Sequence, residues 1–453
     1  MNAAAETRTD GYPLSRTLVY GLGGTGLSAA RHFARTGQAA AYFDTRENPP
    51  GLDELRRIDA AAEILDGEIT PERAAAFDRI LVSPGIPDSD PVLSRLRAAN
   101  AKLVSDIELF VAEAEAEFVA VTGSNGKSTA TTLIAAMCDA AGRDSLAGGN
   151  LGRAALDLLA LPDPQIYVLE LSSFQLQRTP DLPASVSLLL NISPDHLDWH
   201  RDMAEYREAK YRVFAEANAA VYNRDDAEAK RRLRSGVPSV SFGLDRPDAG
   251  QFGIRIIDDE RWLAFGDESL IKASEMGLVG HHNQANALAS LAVCHLLGLD
   301  LSRCVNVLIE FAGLPHRMQF VRDIGGVRYI NDSKATNVGA AIASVQSIDD
   351  GVVLLAGGQG KGGDFASLAE AVADRLKALI VFGEDADSIA RAFAGRAKTS
   401  SVGTLAQAVE TARGVATSGD TVLLAPACAS FDQFDNFNAR GDAFVSLVEG
   451  LPS

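Results

Sequence analysis

Short apolar runs that end in glycine loops and pass straight into helix-like segments recur along this chain, and that alternation constrains the fold more than any other feature. TLVYGLG precedes SAARHFART, DRILVSP precedes PVLSRLRAA, and FVAVTGS precedes TATTLIAAMCDAAG. Strands that pair in parallel need a crossover, which a helix supplies, so the pattern predicts an α/β fold of parallel sheets flanked by helices. Near Val104 to Phe110 the first series ends and FVAVTGSNGKST opens a second. Near Gly313 to Pro315 a helix ends, and VRYINDS with GVVLLAGG opens a third. The 453 residues are enough for three domains, expected at 1–106, 107–313 and 314–453. GLDRPDAGQFGIRIIDDERWLAF has turn residues and β-like alternation, so a small antiparallel excursion is expected inside the middle domain.

A net charge of -18 opposes sequence-independent nucleic-acid binding, so an anionic ligand has to be held by a local cationic site. MNAAAETRTDGYPL lacks a basic region followed by an apolar core, and no later stretch approaches a membrane span. A soluble, unexported, cytoplasmic protein without membrane insertion is expected. Cys138, Cys294, Cys304 and Cys428 show no C-x-x-C spacing, so neither disulfides nor zinc are suggested, and each reads as a small buried apolar residue.

Gly123, Ser124, Asn125, Gly126, Lys127, Ser128 and Thr129 lie between the run Phe118 to Val121 and a helical segment. In that context backbone N–H groups cradle phosphates, Lys127 meets the terminal phosphates and the Ser128 hydroxyl binds magnesium. The first glycine of the usual P-loop pattern would fall at Val121, and the chain has Gly123 instead. A second glycine loop, Gly21-Leu22-Gly23-Gly24-Thr25-Gly26, satisfies G-x-G-x-x-G after a strand, with Asp44 closing the next apolar run. Three readings stay open for it: a nicotinamide dinucleotide, another diphosphate-bearing ligand, or glycines needed for packing alone.

Taken together, GLGGTGLS, FDTRENPPG, VSPGI, GSNGKST, GGNLG, LELSSFQL, NISPDHLDWH, YREAK, HHNQANALA, GLPHRMQ, NDSKATN, GGQGKGGDF and APACASFDQFDNFNARG resemble the Mur ligase family from Gly21 to Gly441. The DTR and ACASFDQF motifs resemble its D-glutamate-adding branch. The resemblance implies an N-terminal Rossmann-like domain for a UDP-sugar, a central ATPase domain and a C-terminal Rossmann-like domain that closes over the active site. It implies ATP and magnesium at two sites, with UDP-N-acetylmuramoyl-L-alanine and D-glutamate as substrates joined through an acyl phosphate by a monomer. Gly24 and Thr25 would lie near the UDP diphosphate, Asp44, Thr45 and Arg46 near uracil, and Ser83, Pro84 and Gly85 in the same cleft. Asn150 would hold the substrate nearer its reacting end. Two departures stand out: Gly24 replaces an apolar residue, and Gln319 stands where relatives often have glutamate.

Phosphoryl transfer to a carboxylate needs charge neutralisation more than covalent help, so magnesium ligands, lysines and arginines are the residues to look for. Glu170 after QIYVLEL is a sheet-end acid that resembles the family ligand of the magnesium shared with Ser128; alone it would read as a solvated acid. His196 resembles a second-magnesium ligand, although imidazole is not the preferred ligand of a hard cation. Lys210 in YREAK reads as a helix-surface lysine until the resemblance makes it a carbamylated magnesium ligand. Asn283 and Asn286 read either as helix caps or as adenine and ATP contacts. Arg317, Asp332 and Lys334 resemble the third domain's grip on ATP, with His316 packing at the hinge. Thr336, Lys361, Ser430 and Phe437 match the glutamate pocket, whose dicarboxylate needs donors at both ends. Phe431 and Phe434 read as core or hinge packing, and His200 as structural or surface.

Three alternatives compete: a folylpolyglutamate-synthetase-like ligase, a nicotinamide-dependent oxidoreductase built on Gly21 to Asp44, and a non-enzymatic nucleotide switch.

Overall fold

The computed structural model describes residues 16–452 except Asp198, Val279, Asp349 and Asp350. The expectation drawn from MNAAAETRTDGYPL lies outside the described residues. Five short strands form the first sheet, all parallel, in the spatial order Glu63–Ile64, Ala40–Phe43, Thr17–Tyr20, Arg79–Val82, Leu103–Val104. The order reverses at Thr17–Tyr20, which opens a crevice beyond the carboxyl end of that strand. Gly21 to Gly26 turn there into the helix Gly24–Thr36. A Cβ on Gly26 would stand 2.1 Å from the Gly21 carbonyl oxygen, so this close approach of helix to strand requires glycine.

Nine strands form the second sheet, in the order Glu268–Lys272, Glu260–Phe265, Phe252–Ile257, Ser239–Phe242, Ala220–Asn223, Val186–Leu189, Glu117–Thr122, Ile166–Glu170, Ser145–Gly149. The six from Ser239–Phe242 to Ser145–Gly149 are parallel and mostly buried on both faces, which is why they read as unbroken apolar runs. The antiparallel excursion, Phe252–Ile257 through Glu268–Lys272, extends the edge of this same sheet. The order reverses at Glu117–Thr122, and the carboxyl ends of that strand and its neighbours Ile166–Glu170 and Val186–Leu189 meet the phosphate-type loop.

The third sheet runs Gln319–Ile324, Val327–Asn331, Thr421–Leu424, Val352–Gly357, Leu376–Phe382, Thr399–Ser401, parallel except for its first strand. Hydrophobic packing divides the molecule unevenly. Val19, Leu22 and Phe33 of the first sheet and its helix share one buried cluster with Phe110, Phe118 and Leu169, whereas the third sheet's two cores, around Leu354 and Val422, are its own. All four cysteines are buried and free of disulfides, and Cys294 Sγ lies 3.6 Å from Met137 Sδ. Among the described residues, no helix is long and apolar enough to cross a membrane.

Candidate active site

The loop after Glu117–Thr122 is held from behind. Ser124 N–H donates to the Asn191 carbonyl at 2.9 Å, Asn125 N–H to Asn191 Oδ1 at 2.9 Å, and the Ser124 hydroxyl joins Ser193 O at 2.9 Å and Tyr206 Oη at 2.8 Å. Ser124 and Asn125 thereby brace the loop. The helix Lys127–Ala140 starts after Gly126, and the first N–H groups of any helix lack partners within it. Gly126 has φ +84°, and a Cβ there would stand 2.3 Å from Asn286 Oδ1. The helix His281–Leu296 is capped by Gly280, so Asn283 and Asn286 are not its caps; both are buried in its first turns, 3.4 Å apart, with Asn286 against Gly126. Ser128 and Thr129 are buried at the start of Lys127–Ala140.

Four cations converge on this loop. Lys127 Nζ donates to Gly123 O at 2.8 Å and Ser124 O at 2.9 Å, and Lys210 Nζ donates to the same Gly123 O at 2.7 Å. Arg317, from the third domain, donates to Ser128 Oγ at 2.6 Å, and Lys334 Nζ stands 4.0 Å over the Phe437 ring. Lys210 is 1% exposed and no surface lysine. Burial and then Lys127 hold its ammonium pKa well below the ordinary value, with Asp195 and Glu170 opposing. Burial likewise lowers Lys127 and Arg317, and brings Lys334 down to about 8 with help from Arg317 and Lys127. Cations that depress one another in a partly buried cleft form a site for a polyanion.

Opposite them stands Glu170, buried at the end of Ile166–Glu170. Its Oε1 accepts from Asn150 Nδ2 at 2.8 Å, while its Oε2 is buried without a hydrogen-bond partner. Such an orphaned carboxylate oxygen suits a hard cation. His196 takes φ +53°, packs edge-on to Phe174 at 4.8 Å and has Nε2 3.6 Å from Asp195 Oδ2. Among the described residues no cluster of three or more His, Cys, Asp or Glu is set to hold a metal, and magnesium bound mainly through substrate phosphates needs no such cluster. The unpartnered Glu170 oxygen fits such an ion as part of a partial protein shell. His200 is buried, 3.0 Å from Ser173 Oγ.

Sequence reasoning passed over Asp195 and Asn337. Asn337 Nδ2 donates to Asp195 Oδ2 at 3.0 Å across the domain junction while Asn337 also caps the helix Val338–Gln346; only the pairing across domains reveals them. Asp332 is buried, accepts from Ser344 Oγ and from Met318 N–H, and is raised by burial. His316, expected to pack at a hinge, is buried with Nδ1 3.0 Å from Asn331 Nδ2, and Gln319 Oε1 accepts from His316 N–H at 2.9 Å.

Thr336 follows Val327–Asn331, Lys361 follows Val352–Gly357, and Ser430 and Phe437 both follow Thr421–Leu424, so the four come from the carboxyl ends of three third-sheet strands. Lys361 is exposed with φ +48°, its Nζ 5.5 Å from the Phe431 ring centroid; Ser430 is buried; Phe437 starts the last helix, Phe437–Glu449. Phe434 packs against the core, but Phe431 is 63% exposed and not a core residue. Arg440, also missed, is fully buried. It donates to Ser333 Oγ and O at 3.0 and 2.8 Å, to Cys428 O at 3.1 Å and to Gly357 O at 3.5 Å, tying three strand-end loops, and burial brings its pKa to about 10.

In the first domain, Asp44 Oδ2 accepts from Leu22 N–H at 2.8 Å and both Asp44 oxygens accept from the Arg46 guanidinium. Burial raises the Asp44 pKa, but Arg46 and the backbone outweigh it and hold the carboxyl at about 2. A carboxylate so forked is closed to a ribose hydroxyl, which removes the main support for the nicotinamide reading. Thr45 is exposed; Ser83 is buried against Gly21, with Pro84 and the exposed Gly85 beyond. Thr25 lies in the first turn of Gly24–Thr36, and a Cβ on Gly24 would meet nothing within 4 Å, so that departure leaves open space.

Residues 15–105 match the Mur ligase MurD-like N-terminal domain, 121–294 the Mur ligase middle domain, and 316–428 the Mur ligase glutamate ligase domain. The chain is 47% identical over 438 residues, 96% of it and 98% of the relative, to the UDP-N-acetylmuramoylalanine–D-glutamate ligase of Pseudomonas fluorescens. It is 46% identical over the same shares to the Pseudomonas aeruginosa protein of that name. The UDP-N-acetylmuramate–alanine ligase structure from Thermotoga maritima shares the fold at TM-score 0.60 and 17% identity, covering 96% of this chain and 99% of that one. The three domains, in their order and over nearly the whole length, make this chain a member of the Mur ligase family.

Proposed function

We propose that the chain is an ATP-dependent ligase that joins D-glutamate to UDP-N-acetylmuramoyl-L-alanine in peptidoglycan precursor synthesis. The observation that carries this reading is the clustering of Lys127, Lys210, Arg317 and Lys334 about the loop 123–128, each within electrostatic reach of Glu170, whose Oε2 has no hydrogen-bond partner. Relatives nearly half identical along almost the whole chain carry that ligase name and support it over the folylpolyglutamate-type reading. The reading includes action in the cytoplasm as a single copy.

In this scheme the Lys127–Ala140 N-terminus and Lys127 receive the ATP phosphates, Arg317 and Lys334 close over them from the third domain, and Asn283 and Asn286 face the adenine side. The carboxylate of the UDP-sugar attacks the γ-phosphoryl group to give an acyl phosphate and ADP. The amine of D-glutamate, its carboxylates paired with Lys361 and neighbouring donors, then displaces phosphate and forms the amide. Magnesium, held by Ser128 and Glu170 with a second ion near His196, would neutralise charge on the phosphates. Lys210 as a neutral amine would add to carbon dioxide, losing one proton and becoming an anionic carbamate; its burial and depressed pKa support that chemistry.

Phosphate release from ATP tests the reading. It should require UDP-N-acetylmuramoyl-L-alanine and an amino acid together, with D-glutamate best. Rapid multiple turnover without an amino acid, or full activity with L-alanine, would overturn it.

A further inference from the structure

The candidate phosphoryl-transfer centre and the candidate UDP cleft lie on different sheets, yet one short segment touches both. Glu170 ends its strand, and the helix Ser173–Gln177 begins after Ser172. The residues that follow turn to the first domain. Gln175 Nε2 donates to Asp106 Oδ2 at 3.3 Å, Gln177 Nε2 to Asp88 Oδ2 at 3.0 Å, and Thr179 Oγ1 lies 2.8 Å from Ser105 Oγ. Arg178 makes the firmest contact. Its guanidinium donates to the Ser83 carbonyl at 2.8 Å, to the Ile86 carbonyl and to Asp88 Oδ1 at 3.1 Å, and its side chain is 10% exposed.

The loop that Arg178 grips is the one next to the glycine loop: a Cβ on Gly21 would stand 2.8 Å from Ser83 Cβ. A continuous path therefore runs from Glu170 through Arg178 to Ser83 and Gly21. The shared hydrophobic cluster beneath the two sheets resists their separation, but apolar contact is non-directional and sets no angle. A planar guanidinium that bonds two carbonyls and a carboxylate fixes direction as well as distance.

We infer that Arg178 is a positioning residue that holds the UDP-binding domain in register with the phosphoryl-transfer centre. The inference rests on the proposed function, since a substrate anchored by its UDP end must deliver its carboxylate to an atom fixed on the other domain. A misplacement of about 1 Å at such a distance can cost roughly a hundredfold in rate. Its signature is selective: Leu22, Asp44 and Arg46 at the proposed uracil end keep their own contacts within the first domain, and alignment of the far end is what is lost.

The test compares Arg178→Met and Arg178→Lys with the wild-type chain in steady-state phosphate release, in calorimetric binding of UDP alone and in thermal unfolding. Arg178→Met should lower kcat about tenfold or more, with UDP affinity within about threefold of wild type and D-glutamate KM within about twofold. Arg178→Lys, which keeps the charge beside Asp88 but loses the fork, should fall between. Asp88→Asn weakens the same joint with both carbonyl contacts left in place, so it keeps the test open if Arg178→Met does not fold, and it should lower kcat in the same direction by less. An unchanged kcat in folded Arg178→Met, a parallel loss of UDP affinity, or unchanged turnover in Asp88→Asn when Arg178→Met is unfolded would overturn the inference. A wild-type chain that does not bind UDP would instead overturn the proposed function.

Discussion

Lys127 and Lys210 donate hydrogen bonds to the same oxygen, that of Gly123, at 2.8 and 2.7 Å. Burial displaces both ammonium groups toward the neutral amine, with Arg317 adding to the effect on Lys127 and Lys127 adding to that on Lys210. The two lysines reach that oxygen from different helices, and the proposed function gives them separable parts, one as a cation for phosphate and one as a reactive amine.

Lys127→Ala is expected to stay folded and lose nearly all phosphate release. One donor to charge that develops in the transition state is worth about 3 to 4 kcal/mol, roughly a hundredfold to a thousandfold in rate. Turnover within twofold of wild type, with unfolding unchanged, would remove Lys127 from catalysis.

Lys210→Ala should also be nearly inactive, but acetate should restore part of its activity, because a small carboxylate can enter the space left by a carbamate. Lys127→Ala should show no such rescue, since the group it lacks is a cation. Full activity of Lys210→Ala without any additive contradicts the carbamate.

Lys361→Ala should raise KM for D-glutamate far more than KM for ATP. Charge-assisted hydrogen bonds contribute about 1.5 to 3 kcal/mol, so a rise of roughly ten- to a hundredfold is expected. Equal effects on both substrates would assign Lys361 to the nucleotide.

Asp106 gives a pH-dependent prediction. Burial raises its pKa from 3.8 to about 6 against the hydrogen bonds from Gln175 and the backbone. The native state thus prefers the protonated acid: the stabilisation is fully present below about pH 4 and is lost as pH rises through about 6. Asp106→Asn should therefore be more stable than wild type at pH 7 by up to about 3 kcal/mol, with the gain shrinking toward pH 4 in urea unfolding. A constant deficit across that range would show that the charge is not the cause.

The three-part α/β organisation was legible because parallel strands buried on both faces leave apolar runs and glycine turns in the chain. The phosphate-type loop and Glu170 were legible for the same reason, since each sits at the end of such a run. What escaped depends on partners far away in sequence. Arg178 and Arg440 look like ordinary charges until their carbonyl partners are seen, and Asp195 and Asn337 become a pair only across the domain junction. Periodicity told nothing of Lys210, which sits in a polar helix stretch and is buried by the loop it touches. Phe431 misled in the other direction: an aromatic residue in an apolar motif suggests packing, and its ring lies open beside Lys361.

The buried guanidinium of Arg440 has a thermodynamic consequence. Ser333 lies between Asp332 and Lys334, which the proposed function assigns to the nucleotide, whereas Gly357 and Cys428 lead to the loops that carry Lys361 and Ser430. A rigid fork shared by all three converts a shift of one loop into a shift of the others. Under the proposed function, occupancy by the amino acid and occupancy by the nucleotide would then be linked, and the linkage would be reciprocal: whatever factor D-glutamate contributed to ATP affinity, ATP would contribute to D-glutamate affinity.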